Sequence, residues 1–125
     1  MSRDQKRVVD YLSHILEAIE RIDRYTEDMN ERAFLKSQLV QDAVIRNLEI
    51  IGEAGHNIEM HYPVFAAAHP ELPLAFAYQM RTAISHGYFK VDFEIVWKTI
   101  QHDLPGLHAQ VQNAQATLPS NSDHG

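Results

Sequence analysis

Cysteine is missing altogether from the 125 residues. That removes disulfides, thiolate metal ligands and a cysteine nucleophile, and it fits a reducing cytoplasm. Long apolar runs are missing too. The first twenty residues, MSRDQKRVVDYLSHILEAIE, switch between charged and apolar types every few positions. They form neither the centre of an export signal nor a membrane span, so a soluble, unexported protein with no membrane partner is expected. Glycine and proline number only five each, and no repeat or low-complexity block interrupts the chain. Positive charge is in deficit, with 11 Lys+Arg against 17 Asp+Glu and a formal net charge of −6. Such a field repels a polyanion, which argues against a nucleic-acid coat but not against one local site that meets RNA. The eight histidines are scattered along the chain rather than grouped as metal ligands.

What is present is enough apolar residue, 45%, for one core and one domain. Residues 1–116 read as a single helical domain, and 117–125, ending in LPSNSDHG, as a flexible tail. Ser2 and Gln5 have capping-box spacing, and Val8, Leu12, Ile15, Ile19 and Ile22 recur at three- and four-residue steps, which predicts a helix from about Arg3 to Tyr25. Asn30 is a good N-cap for a proline-free run of nearly thirty residues, predicting one long helix. On it Val44, Leu48, Ile51 and Ile58 share one side, while Arg46, Glu49, Glu53 and Asn57 gather opposite with Ile50 between them. That polar stripe is either a solvated face with an Arg46–Glu49 ion pair or the wall of a polar cleft. Pro63, Pro70 and Pro73 then break the chain, leaving room for a short turn of helix around VFAAAH. Pro73 suits a first helical position, so the next helix is expected over 73–85 with Gly87 stopping it. Asp92 can cap FEIVWKTIQHD, where Phe93, Val96, Trp97 and Ile100 form a stripe, and Pro105 opens a last helix. Nothing demands a strand. The fold class is all-α, an antiparallel up-and-down bundle of four to five main helices.

The stretch RTAISHGY at 81–88 places Arg81 five residues before His86 and Tyr88 two beyond. Seven Arg and eight His in this length give about 0.4 chance Arg-x4-His pairs, and roughly 0.02 once the Tyr is required. Five is a poor interval for one helix face. If the helix ends near Ser85, His86 sits on the turn and can swing toward Arg81. Arg supplies a planar fork matched to phosphate, and His can give or take a proton near neutrality. Together they meet the needs of metal-independent RNA cleavage, in which a base takes the 2′-hydroxyl proton and a cation stabilises charge on the phosphorus oxygens. The plainer alternative is a His that favours a helix C-terminus, a surface Arg81, and Tyr88 packing as a hydrophobe.

The run RTAISHGYF, with QDAVIRNLEIIGEAGHNI and HPELP before it and VDFEIVWKTIQHDLP after it, resembles the HepT-like branch of the HEPN superfamily over about residues 5–110. These are ribonuclease toxins encoded beside a minimal nucleotidyltransferase antitoxin, MntA, in type VII-like toxin–antitoxin systems. The resemblance implies an all-α homodimer with the two motif helices facing each other across a cleft. It implies a metal-independent endoribonuclease acting on an RNA substrate, with Arg81 and His86 catalytic and two copies of each in one composite site. It also implies that Tyr88 is the residue to which the antitoxin transfers AMP from ATP, silencing the toxin; this chain itself would need no cofactor and no metal. Negative charge and bulk two residues from His86 would occupy the place of the RNA phosphate. Arg46, Asn47 and Glu53 then become candidate supporting residues of the cleft wall. The residue after the motif Arg is commonly Asn in the family and is Thr82 here, whose hydroxyl can still donate and accept. The family's frequent aromatic after the second proline of the PELP stretch is Leu74 here.

Two other readings stand beside this one. In the first, the chain is a helical binding partner of the nucleotidyltransferase, and Arg81 and His86 only grip phosphate. In the second, a carboxylate-bridged metal pair uses the Glu53–His56 spacing, but that design needs a second Glu-x-x-His, which the chain lacks.

Overall fold

The computed structural model describes residues 3–72, Leu74 and residues 92–118, with side chains from Arg7 onward. The expected helix over 73–85 and its stop at Gly87 lie outside the described residues. So do Arg81, Thr82, His86, Tyr88, the Ser2–Gln5 capping contact and the chain beyond Leu118. The described residues form six helices and no strand: α1 (Arg3–Thr26), α2 (Glu31–Lys36), α3 (Gln38–His61), α4 (Pro63–Ala68), α5 (Phe93–His102) and α6 (Leu104–Ala116). The all-α bundle read from the sequence is therefore the fold, and α1, α3, α5 and α6 are the main helices among the described residues.

The single long helix expected after Asn30 is instead two. Asn30 caps α2 as expected, its Oδ1 accepting from the Ala33 N–H at 2.9 Å. At Ser37, however, the backbone turns to φ −106°, ψ 93° and leaves the helical region. The Ser37 hydroxyl accepts from the Val40 N–H at 3.3 Å and so starts α3. Gln41 Nε2 reaches back and donates to the Phe34 and Leu35 carbonyls, each at 3.0 Å, so two acceptors released by the break are satisfied. Serine competes with the helix for backbone partners, and here that competition succeeds.

Helix α1 is the central strut. Its stripe of Val8, Leu12, Ile15, Ile19 and Ile22, joined by Ala18, is buried throughout, each large side chain stabilising the fold by about 1.5–3 kcal/mol. Against it α3 presents Val44, Leu48, Ile51 and Ile58, and α6 presents Leu107, Val111 and Ala114. Both neighbours run antiparallel to α1. Tyr11 meets Tyr62 near one end while Arg21 meets Asn47 toward the other, and on α6 Gln115 binds Ser13 while His108 binds Glu20. The His108–Glu20 contact is 2.9 Å. Partial desolvation nearby raises the Asp23 carboxyl above its ordinary pKa, with the attraction of His108 opposing and the repulsion of Glu20 reinforcing that shift. Phe34 on α2 is fully buried between Phe93 and Trp97 of α5, at ring distances of 6.1 and 5.3 Å. Asp92 caps α5 through its Oδ1, which accepts from the Glu94 N–H at 3.0 Å. Among the described residues no helix is long and apolar enough to cross a membrane.

Candidate functional site

With one face of α3 committed to the core, helical periodicity turns Arg46, Glu49, Glu53 and Asn57 outward together, one turn apart. They line a cleft of about 460 Å³ between α3 and α1, with Ile50 and the buried Ala54 completing the α3 side. The polar stripe is thus a cleft wall rather than a plain solvated face. From α1 come Tyr11 and His14. Their rings meet edge to face at 6.3 Å and 83°, and Tyr11 also contacts Tyr62 at 6.2 Å and 57°. Tyr11 is half-buried and held between two rings; His14, Arg46 and Glu53 are exposed at the mouth, and Glu49 and Asn57 are half-buried.

The cleft therefore combines one guanidinium, one imidazole, two carboxylates, a carboxamide and a phenol. Among the described lining residues the charged groups are Arg46, Glu49 and Glu53. Such a lining can both donate and accept, and its aromatic wall offers a flat surface.

Of the supporting residues read from the sequence, Arg46 and Glu53 are brought together in this cleft. Asn47 is placed elsewhere. It is only 4% exposed and faces α1, where its Oδ1 accepts from Arg21 Nη1 at 3.2 Å and its Nδ2 donates to the Ala43 carbonyl at 2.8 Å. Arg21 also lies 3.7 Å from Glu17, so Asn47 joins two helices through a polar chain. Tyr11 and His14 went unnoticed in the sequence, although their three-residue spacing on the edge of the Leu12–Ile15 stripe was a usable signal. Glu53 lines the cleft, but among the described residues no three His, Asp or Glu converge in a way that could hold a metal ion. Leu74, at the position where the family often has an aromatic, is 3% exposed and joins the core. A second hollow of about 370 Å³, between Val8, Phe65 and Leu118, is mostly apolar.

The fold and this cleft define an all-α antiparallel bundle with a polar groove on its longest helix pair. The chain belongs to the HepT-like ribonuclease family: the family model described as "Ribonuclease HepT-like" matches residues 15–114. It is 42% identical over 112 residues to a protein of Thermococcus cleftensis named "Probable ribonuclease HepT", covering 90% of this chain and 96% of that one. It is also 38% identical over 120 residues to a Methanocaldococcus jannaschii protein named "Gamma-glutamylcyclotransferase and putative RNase". That alignment covers 96% of this chain, which spans 53% of the longer relative. No solved structure matches.

Proposed function

We propose that this chain is the endoribonuclease toxin of a type VII-like toxin–antitoxin system, working in the cytoplasm as a homodimer without a metal ion. The observation that carries the reading is the family match over residues 15–114, an interval that contains the α3 wall of the cleft and the Arg81, His86 and Tyr88 triplet. Arg81 binds the scissile phosphate and stabilises the charge that gathers on its oxygens. The 2′-oxygen bonds to phosphorus as the bond from phosphorus to the 5′-oxygen breaks. One His86 takes the 2′-hydroxyl proton, and its twin in the partner protomer gives a proton to the departing 5′-oxygen. The products are a 2′,3′-cyclic phosphate and a 5′-hydroxyl. Thr82, Arg46 and Glu53 support the substrate, while Asn47 supports α3.

Purified chain incubated with RNA in excess EDTA should cleave it, leaving cyclic phosphate ends, and His86→Ala should lose at least about a hundredfold in rate. Equal cleavage by wild type and His86→Ala, or none by either, would point instead to a helical binding partner of a nucleotidyltransferase, a role that Thr82 in place of the family's Asn favours.

Control of the toxin falls to Tyr88. A minimal MntA-like nucleotidyltransferase partner transfers AMP from ATP to its hydroxyl and releases pyrophosphate, placing bulk and negative charge beside His86. Co-expression with that partner should add AMP increments to the intact mass of wild type and none to Tyr88→Phe. An unmodified wild-type mass under those conditions would sink this proposal.

A further inference from the structure

We infer that the cleft between α1 and α3 seats one unpaired nucleotide of a single strand, with its base at the Tyr11 and Asn57 end and its phosphate at Arg46. That the nucleotide belongs to RNA rests on the ribonuclease reading; the seat itself rests on the shape and chemistry of the cleft. Of the polar α3 side chains that line it, Glu49 and Glu53 already have partners. Arg46 and Asn57 differ: among the described residues neither side chain has a hydrogen bond or an ion pair. The open groups on α3 are thus one cation and one carboxamide, and they stand at opposite ends of the cleft. A rise of about 1.5 Å per residue puts Asn57 roughly 16 Å along α3 from Arg46, and two side chains reaching inward leave room between them for about one nucleotide. Ile50 and the buried Ala54 floor that interval, and the volume of about 460 Å³ falls in the range of small-ligand clefts. Tyr11 stands at the Asn57 end, because its ring contacts Tyr62, the residue that closes α3.

Exposure sets the direction of the nucleotide. Tyr11 and Asn57 are half-buried whereas Arg46 is exposed at the mouth. The base therefore goes inward and the sugar and phosphate face solvent, where a strand can continue past the cleft. A carboxamide presents a donor and an acceptor side by side, and the Watson–Crick edge of every RNA base carries an adjacent donor and acceptor. Asn57 accordingly takes a base without choosing among the four, and only when that edge has no pairing partner. Tyr11, Ile50 and Ala54 supply the apolar surface that a flat ring needs. The guanidinium fork of Arg46 matches the phosphate oxygens.

The test is a titration of the ¹⁵N-labelled full chain with AMP, UMP, adenosine and ribose 5-phosphate, followed by amide shifts. AMP should shift Tyr11, Ile50 and Asn57 saturably and bind at least about tenfold tighter than ribose 5-phosphate, which lacks the base. UMP should come within about tenfold of AMP. Adenosine should bind more weakly than AMP, and Arg46→Gln should remove that difference. Asn57→Ala, keeping a dispersed native spectrum, should weaken AMP and leave ribose 5-phosphate as it was. Ribose 5-phosphate as tight as AMP would reveal a plain anion site and overturn the inference. Saturable shifts elsewhere, no saturable shift, or a preference between the two bases far above tenfold would do the same. Cleavage is measured separately, and there both substitutions should raise KM for RNA. An unchanged KM in both overturns the inference and leaves the ribonuclease reading standing. AMP seated at the cleft of a chain that cuts no RNA supports the inference and counts against that reading.

Discussion

Asn47 and Arg46 are chain neighbours with opposite fates. A helix turns successive residues about 100° apart, so Arg46 reaches the cleft while Asn47 faces α1 and bonds both Arg21 and the Ala43 carbonyl. Removing the buried amide takes from Arg21 its partner on α3 and breaks the polar link between the two helices. Asn47→Ala should therefore destabilise the fold by about 1–3 kcal/mol in urea unfolding, and Arg46→Ala by less than about 0.5 kcal/mol. The reverse ranking would show that the polar chain through Asn47 contributes little. A second residue-scale prediction concerns Glu71. The hydrogen bond from His69 Nδ1, 3.0 Å from its Oε2, lowers the Glu71 carboxyl below its ordinary 4.5, helped by a local backbone bond. Because the folded pKa is the lower one, the pair's stabilisation is present above pH 4.5 and is lost as pH falls through the lowered value. A carboxyl NMR titration should find Glu71 below an ordinary glutamate, and His69→Ala should move it back up.

At the scale of elements, the instructive helix is α2, six residues long and too short to persist alone. What holds it is Phe34, wedged against Phe93 and Trp97. Phe34→Ala should cost about 3–5 kcal/mol, and Ser37→Ala, which removes the cap of α3, about 1 kcal/mol; thermal unfolding of the two variants checks the ranking. The caps at Asn30 and Asp92 were legible from residue type and neighbourhood, as was the one-turn helix after Pro63. The break at Ser37 was not. Serine is tolerated inside helices, and the bonds that reward its departure come from Gln41, a residue whose type announces no such role. Periodicity likewise gave the outward stripe of α3, because four residues on one helix need no knowledge of the fold. Tyr11 and His14 complete the cleft from another helix, and their membership depends on how α1 docks.

For the molecule as a whole, charge sets the terms on which RNA can be met. A net −6 leaves any RNA contact to local cations such as Arg46 and Arg81. With about two to four phosphates engaged, log K for a single-stranded oligonucleotide should fall against log salt with a slope of roughly −1 to −3. A slope much steeper than that would reveal a basic surface that the composition gives no reason to expect. The bundle is also closed by contacts far apart in the chain. Gln115 donates to Ser13 at 2.8 Å across 102 residues, and His108 meets Glu20 across 88. On a ribosome α1 can pair with α3 once His61 has emerged, but its flank for α6 must wait for the remainder. At about 5–20 residues per second, synthesis from the first turn of α1 to the end of α6 takes on the order of ten seconds, so α1 stays bare on its α6 flank longer than on its α3 flank, and that flank is what a chaperone or protease meets on the nascent chain.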